Sequence, residues 1–285
     1  MFPILFACQI SRPFISIPLY IWTINPFKGS SLEELEIIRY GIDYMWTLDV
    51  YVPSLKRLTL KVRRNKEDKY LDNFEGKVTV NAPNIEHLDL RDCASDKILM
   101  NHLSSLAKAR RLWLTGYTLQ TLNYANPANL PTFCNVIHLE LGLDELDGLV
   151  LLPNLLESSP KLEVLVLREG ITLPGGRTHN YKIRDYKYHW IPPQQIPECL
   201  ICCLKTIVFH KFSGTEEEMN LVKYLLKNAM VLENMTVFCH GDFSFNADEL
   251  SNYARCESNC DFILRIPKRQ GGRRLQIMVP SNHVF

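Results

Sequence analysis

The sequence predicts an α/β fold, an irregular repeat solenoid of short parallel strands joined by helices on its convex side. Three observations predict it. A six-residue phrase, apolar-x-x-apolar-x-apolar, recurs eight times. Its copies follow one another at intervals close to the length of one strand-plus-return unit. Behind the last long interval, a strand pattern, a capped helix pattern and a second strand pattern stand in succession, the signature of a terminal β-α-β unit.

The copies are Leu32–Ile37, LKRLTL (55–60), IEHLDL (85–90), ARRLWL (109–114), VIHLEL (136–141), LEVLVL (162–167), LKTIVF (204–209) and LENMTV (232–237). Their fourth positions are Leu35, Leu58, Leu88, Leu112, Leu139, Leu165, Ile207 and Met235, spaced by 23, 30, 24, 27, 26, 42 and 28 residues. Most of these intervals lie in or just above the span of leucine-rich repeats, about 20–29 residues. The third copy runs on to Cys93, in the slot where such repeats carry Asn or Cys. The other copies do not keep that slot, so the array is expected to be irregular. Each L-x-L is a short strand whose side chains alternate between two faces. One unit cannot bury its own apolar edge, so neighbours must stack. The stretches between strands must return on the other side. Lys97–Arg110 is read as one such helix, with Ile98, His102, Leu103 and Leu106 near one face. Leu151–Ser158 is read as another, with Leu151, Leu152, Leu155 and Leu156 buried and Pro160 stopping it.

The 42-residue step holds Gly175-Gly176-Arg177, an aromatic and basic run to Trp190, and the Pro-rich stretch 191–197, which together mark a boundary. A strand at 204–210 then leads through Ser213-Gly214 to Thr215-Glu216-Glu217-Glu218. Thr215 with Glu218 forms a capping box, in which each side chain satisfies an exposed amide of the first helical turn. Acidic residues there also suit the positive helix end. Met219, Val222, Leu225, Leu226 and Ala229 make the buried stripe, and a strand at 232–238 closes the unit.

Composition narrows the function classes. The chain has 285 residues, 46% hydrophobic and 22% charged, enough to bury a substantial core. Lys and Arg number 32 against 31 Asp and Glu, so no phosphate-tracking surface covers the chain and nucleic acid is not an expected partner. Nine cysteines, an odd count, make a poor disulfide framework and are read as thiols of a reducing compartment, cytoplasmic or nuclear. Residues 1–24 are apolar but broken by Pro3, Arg12, Pro13 and Pro18, and no basic residue precedes the apolar stretch. They read as extended buried chain, or the remnant of a longer N-terminus, in preference to a signal peptide or a membrane anchor. The sequon Asn234-Met235-Thr236 falls on a predicted strand and is taken as chance. Neither a dinucleotide or phosphate loop nor a zinc-protease or serine-hydrolase motif occurs, so no enzyme activity and no cofactor are expected. Cys199, Cys202 and Cys203 with Cys256 and Cys260 have the elements of a zinc set, but Cys202-Cys203 lead straight into a strand and no metal site is assigned. Five basic residues in Arg265–Arg274 read as a solvated tail in preference to an import or nucleic-acid patch.

The stretch WIPPQQIPECLICCLKTIVFHKFSGTEEEMNLVKYLLKNAMVLENMTVF (190–238) resembles the FBD domain of plant F-box/FBD/LRR-repeat proteins. The likeness rests on Trp190 with the prolines after it, Pro197-Glu198-Cys199-Leu200, Leu204-Lys205, Gly214–Glu218 and the helix that follows. Cys260 and the apolar Phe262-Ile263-Leu264 fit the usual end of that domain. Upstream, VPSLKRLTL (52–60), APNIEHLDL (82–90) and LLESSPKLEVLVL (155–167) are similar to the repeat phrases of the family. The chain then reads as four parts: on composition an apolar N-terminal segment 1–24 and a basic flexible tail 267–285, and between them, as the resemblance implies, leucine-rich repeats 25–185 and an FBD domain 186–266. The resemblance also implies a substrate-recognition subunit of a Skp–cullin–F-box ubiquitin ligase. Family members open with an F-box, the helical module that docks on the adaptor, and none is read in residues 1–24. A Skp-type adaptor is therefore expected only if an F-box exists; otherwise the chain is a scaffold or decoy, or a secreted repeat receptor.

A solenoid offers a surface. Strand residues alternating with the buried leucines face the concave side, and these are Arg57, Thr59, His87, Asp89, Arg111, Trp113, His138 and Glu140, continued by Val164 and Val166. Trp113 is the expected anchor for a protein substrate, because large aromatics flanked by charge dominate binding energies.

Overall fold

The computed structural model describes residues 7–9, 21–24, 32–40, 45–63, 75–91, 107–115, 117–124, 130–142, 146–169, 190–240, 247–257, 260–266 and 275–279. The chain divides into two compact units, Met1–Val136 and Ile137–Phe285. Both are built on parallel β-sheet, with few helices.

In the first unit, β1 (Ala7–Gln9), β3 (Glu34–Tyr40), β5 (Arg57–Arg63), β7 (His87–Arg91) and β8 (Arg111–Thr115) form one sheet in that order. The strand β1 runs antiparallel to β3, and the other pairs are parallel. A second sheet, all parallel, joins β2 (Ile21–Ile24), β4 (Met45–Tyr51) and β6 (Glu75–Asn81). The sequence reading looked for helices in the return stretches and did not anticipate this sheet. Helix α1 (Tyr117–Tyr124) follows β8. The predicted helix over 97–110 lies outside the described residues up to 106, and 107–110 form a turn leading into β8, not helix.

The second unit runs β9 (His138–Gly142), α2 (Leu146–Glu157), β10 (Val164–Glu169), α3 (Glu198–Cys202), β11 (Thr206–Phe212), α4 (Glu216–Asn228), β12 (Asn234–Cys239), α5 (Ala247–Glu257), β13 (Asp261–Ile266) and β14 (Leu275–Val279). Strands β9 to β13 are parallel neighbours in chain order, and β14 returns antiparallel to β13. Leu275–Val279, placed in a flexible tail on composition, is thus a paired edge strand. Helix α2 starts five residues before the predicted Leu151 and contains Pro153; its Leu149, Leu151, Leu152, Leu155 and Leu156 are buried.

All eight fourth positions of the repeat phrase fall on strands and are buried, from Leu35 to Met235. Short β-turns deliver the chain to most of these strands. The N–H of Leu55 donates to Val52, Ile85 to Ala82, Val136 to Phe133, Leu162 to Ser159 and Leu232 to Ala229. Pro53, Pro83 and Pro160 occupy the first central position of three of these turns, where a fixed φ costs nothing. One carbonyl per repeat then accepts two amides from the next. Glu33 receives Lys56 and Arg57, Lys56 receives Glu86 and His87, and Glu86 receives Arg110 and Arg111. In the second unit Ile137, Glu163 and Lys205 do the same for Glu163 and Val164, Lys205 and Thr206, and Glu233 and Asn234. A carbonyl oxygen has two lone pairs, so this staircase satisfies the strand entrances without side chains. Each buried leucine adds about 1.5–3 kcal/mol.

Helix α4 begins with the predicted capping box. Glu218 N–H donates to Thr215 Oγ1 at 3.3 Å, and Glu218 Oε2 accepts from Thr215 N–H at 3.1 Å and Ser213 N–H at 3.0 Å. Glu217, also buried, accepts the backbone N–H of Trp190. Two carboxylates are tolerated inside because backbone donors and the helix N-terminus face them. The Trp190 ring packs edge-on to Tyr224 at 5.9 Å. Gly214, with φ 75°, makes the bend ahead of the helix; Lys211, at φ 55°, sits in the irregularity where β11 slips against β12 between Phe209 and Phe212.

Candidate binding face

Because strand side chains alternate, whatever stands between the buried leucines lines the other face of each sheet. In the first unit the register sets these residues in rows. Glu34, Arg57, His87 and Arg111 form one row; Glu36, Thr59, Asp89 and Trp113 the next; Lys61, Arg91 and Thr115 a third. Of the predicted site residues, Arg57, Thr59, His87, Asp89, Arg111 and Trp113 are therefore brought together on one sheet face. Arg57 and Arg111 are exposed, and the other four are half-buried.

The face is held by ion pairs, two across adjacent strands and one within β7. Arg57 meets Glu34 at 2.7 Å, and Lys61 meets Glu36 at 2.6 Å. Arg91 holds Asp89 through two nitrogens, at 2.8 and 2.6 Å, and lays its guanidinium 3.3 Å from the centre of the Trp113 ring. Trp113 is thus half-buried beneath a cation rather than standing alone. At the strand entrances Lys56 bonds Glu33 at 2.9 Å, and this bond, aided by the nearby carboxylates, holds its ammonium above the usual lysine range.

In the second unit the predicted His138 and Glu140 open two rows. His138, Val164, Thr206, Asn234 and Asp261 form one; Glu140, Val166, Val208, Thr236 and Ile263 form the other, with Met278 of β14 opposite Ile263. Glu140 is only 8% exposed: Arg168 Nε donates to it at 2.5 Å, and His138 Nε2 lies 3.8 Å away. Its carboxylate is buried and engaged within the chain, whereas Arg57 and Arg111 are exposed. Farther along the strands, the His210 ring stacks on Phe238 at 4.8 Å, and Arg265 covers the Phe238 ring at 5.1 Å. Burial, with a smaller push from the Arg168 charge, holds the His210 imidazole below its usual range.

Lys61, Arg91, Arg168, His210, Phe238 and Arg265 were missed by the sequence reading. A simple signal would have found Lys61, Arg91 and Arg168: carrying the alternation one residue past each L-x-L. Among the described residues, no group of three or more His, Cys, Asp or Glu is placed to hold a metal ion, and no helix is long and apolar enough to cross a membrane. The sequon at 234–236 lies within β12.

The FBD family profile matches residues 192–237, the stretch from the approach to α3 through β11 and α4 into β12. Three F-box/FBD/LRR-repeat proteins of Arabidopsis thaliana are similar over most of the chain. One is 32% identical over 263 residues, covering 82% of this chain and 53% of the relative. A second is 27% identical over 252 residues, covering 82% and 52%. A third is 30% identical over 228 residues, covering 72% and 48%. The chain spans about half the length of these relatives. No solved structure matches it. The FBD segment and the long alignments that run through it agree that the chain belongs to the plant F-box/FBD/LRR-repeat family.

Proposed function

We propose that this chain is a non-catalytic protein-binding module, acting as the substrate-recognition part of a Skp–cullin–F-box ubiquitin ligase in the cytoplasm or nucleus. In this reading the parallel sheets are an irregular leucine-rich-repeat solenoid, residues 25–185, finished by an FBD domain over 186–266. The concave face of the first unit carries Arg57, Thr59, His87, Asp89, Arg111 and Trp113, and that of the second carries His138 and Glu140. The observation that carries the reading is the row-by-row gathering of the first six side chains on one face of a sheet whose opposite face is sealed by leucine. Inward positions are committed to burial, so the outward ones are free to vary with the partner. The family names of the relatives support the ligase link.

Two measurements test it. Trp113→Ala and Arg111→Ala should each weaken capture of a protein substrate at least fivefold without unfolding the chain; unchanged capture by both variants rejects the face. Separately, the full chain is tested for co-purification with a Skp-type adaptor. Retention supports the ligase assignment, and absence of binding favours a scaffold that captures the same targets without ubiquitin transfer.

A further inference from the structure

We propose that Cys202 and Cys203 form a reversible vicinal-disulfide site, oxidised by small disulfides of the glutathione class. The two side chains stand at the end of α3, where Cys202 is exposed and Cys203 is half-buried, and their sulfurs are 3.2 Å apart. The pair occupies the turn that binds three elements together. Cys203 N–H and Leu204 N–H both donate to Cys199 O, at 3.0 and 2.8 Å, and Met230 N–H, just after α4, donates to Leu200 O at 2.9 Å.

The geometry selects disulfide chemistry over zinc. A tetrahedral zinc with bonds near 2.3 Å sets its thiolates about 3.8 Å apart, wider than this pair. The third cysteine of the segment is turned away: Cys199 is buried, its thiol donates to Leu156 O at 3.4 Å, and burial pushes it up to about 12. Cys203 is pushed up to about 11, first by its hydrogen bond to the neighbouring thiol and then by burial, and the attacking group is the exposed Cys202. Its thiolate attacks the external disulfide; that S–S bond breaks, and one external thiolate leaves with the electron pair. Cys203 then loses its proton to water and attacks the Cys202 sulfur. The mixed disulfide breaks, and the second external thiol departs. Two protein thiols are oxidised and one external disulfide is reduced to two thiols. Adjacent α-carbons lie about 3.8 Å apart across a trans peptide, short of the usual disulfide span of about 4.4–6.8 Å. The ring is therefore strained, and strained, exposed disulfides reopen readily.

The test treats the full chain with glutathione disulfide, raised until the exposed Cys134 and Cys256 are modified, and maps the peptide 188–205 by mass. The expected product is two hydrogen masses lighter, carries no adduct, reverts with dithiothreitol and persists in Cys199→Ala. Cys203→Ser should instead retain a glutathione adduct on Cys202. A lasting adduct on Cys202 in the parent chain, a peptide that stays reduced, or loss of the lighter product in Cys199→Ala would overturn the proposal.

Discussion

The two units share a backbone plan and differ in what they show on the outward face of the sheet. In the first unit that face is ionic: Glu34 with Arg57, Glu36 with Lys61, and Asp89 with Arg91 over Trp113. In the second it is largely β-branched, with Val164, Val166, Val208, Thr236 and Ile263 beside the His210–Phe238–Arg265 stack. The inward positions do not differ, being Leu, Ile, Val, Phe or Met throughout. The strand ladder needs only an apolar residue at two inward sites per repeat. The outward sites are left to set the chemistry of whatever surface the unit presents.

This contrast predicts graded effects. The largest belong to the shared interior: Leu58→Ala and Leu165→Ala, each fully buried, should both lower stability by about 2–5 kcal/mol in urea unfolding. A much smaller loss in either unit would show that its ladder is not packed as described. Next comes the outward stack. Phe238→Ala removes a ring held between His210 and Arg265 and should cost about 1–2 kcal/mol, unchanged by added salt. Arg91→Ala should cost about 1 kcal/mol at low ionic strength, and the loss should shrink toward zero in about 1 M NaCl, where the screening length falls to about 3 Å. Equal salt sensitivity of the two variants would erase the distinction between the faces. The smallest effect is a pH dependence. His210 has a lowered affinity for protons when folded, because burial and Arg168 oppose its charge and Glu140 only partly offsets them. The unfolded chain therefore binds the extra proton below about pH 6.5, and stability falls as pH drops through that value. His210→Gln should flatten this segment of the stability-pH curve, measured by thermal unfolding between about pH 5 and 8. An unaltered slope would assign the dependence to other groups.

Much of the architecture was readable from local pattern. The spacing of Leu58, Leu88 and Leu112 locates three neighbouring strands because burial on one face of a strand needs only a period of two. The capping box of Thr215 and Glu218 was equally legible, since its partners lie three residues apart. Other parts were not. The strands β4 and β6 pair with each other across 30 residues, Met45 opposite Glu75, and nothing in either segment names its partner. Strand β14 was hidden for a related reason: Leu275–Val279 is short, follows a basic run, and becomes a strand by lying along β13.

The same division runs through the candidate face. Which residues point away from the core followed from alternation alone, because a one-residue shift would put charge among the leucines. Which of them remain open was decided by register and by long side chains reaching across strands. Arg91 covers Trp113, and Arg168 buries Glu140, from repeats 22 and 28 residues distant in the chain. A charge's partner depends on three-dimensional neighbours separated by about 5 Å in space and by a whole repeat in sequence. Hydrophobic periodicity is written within each segment, whereas pairs such as Arg57 with Glu34 or Arg168 with Glu140 exist only between segments already aligned.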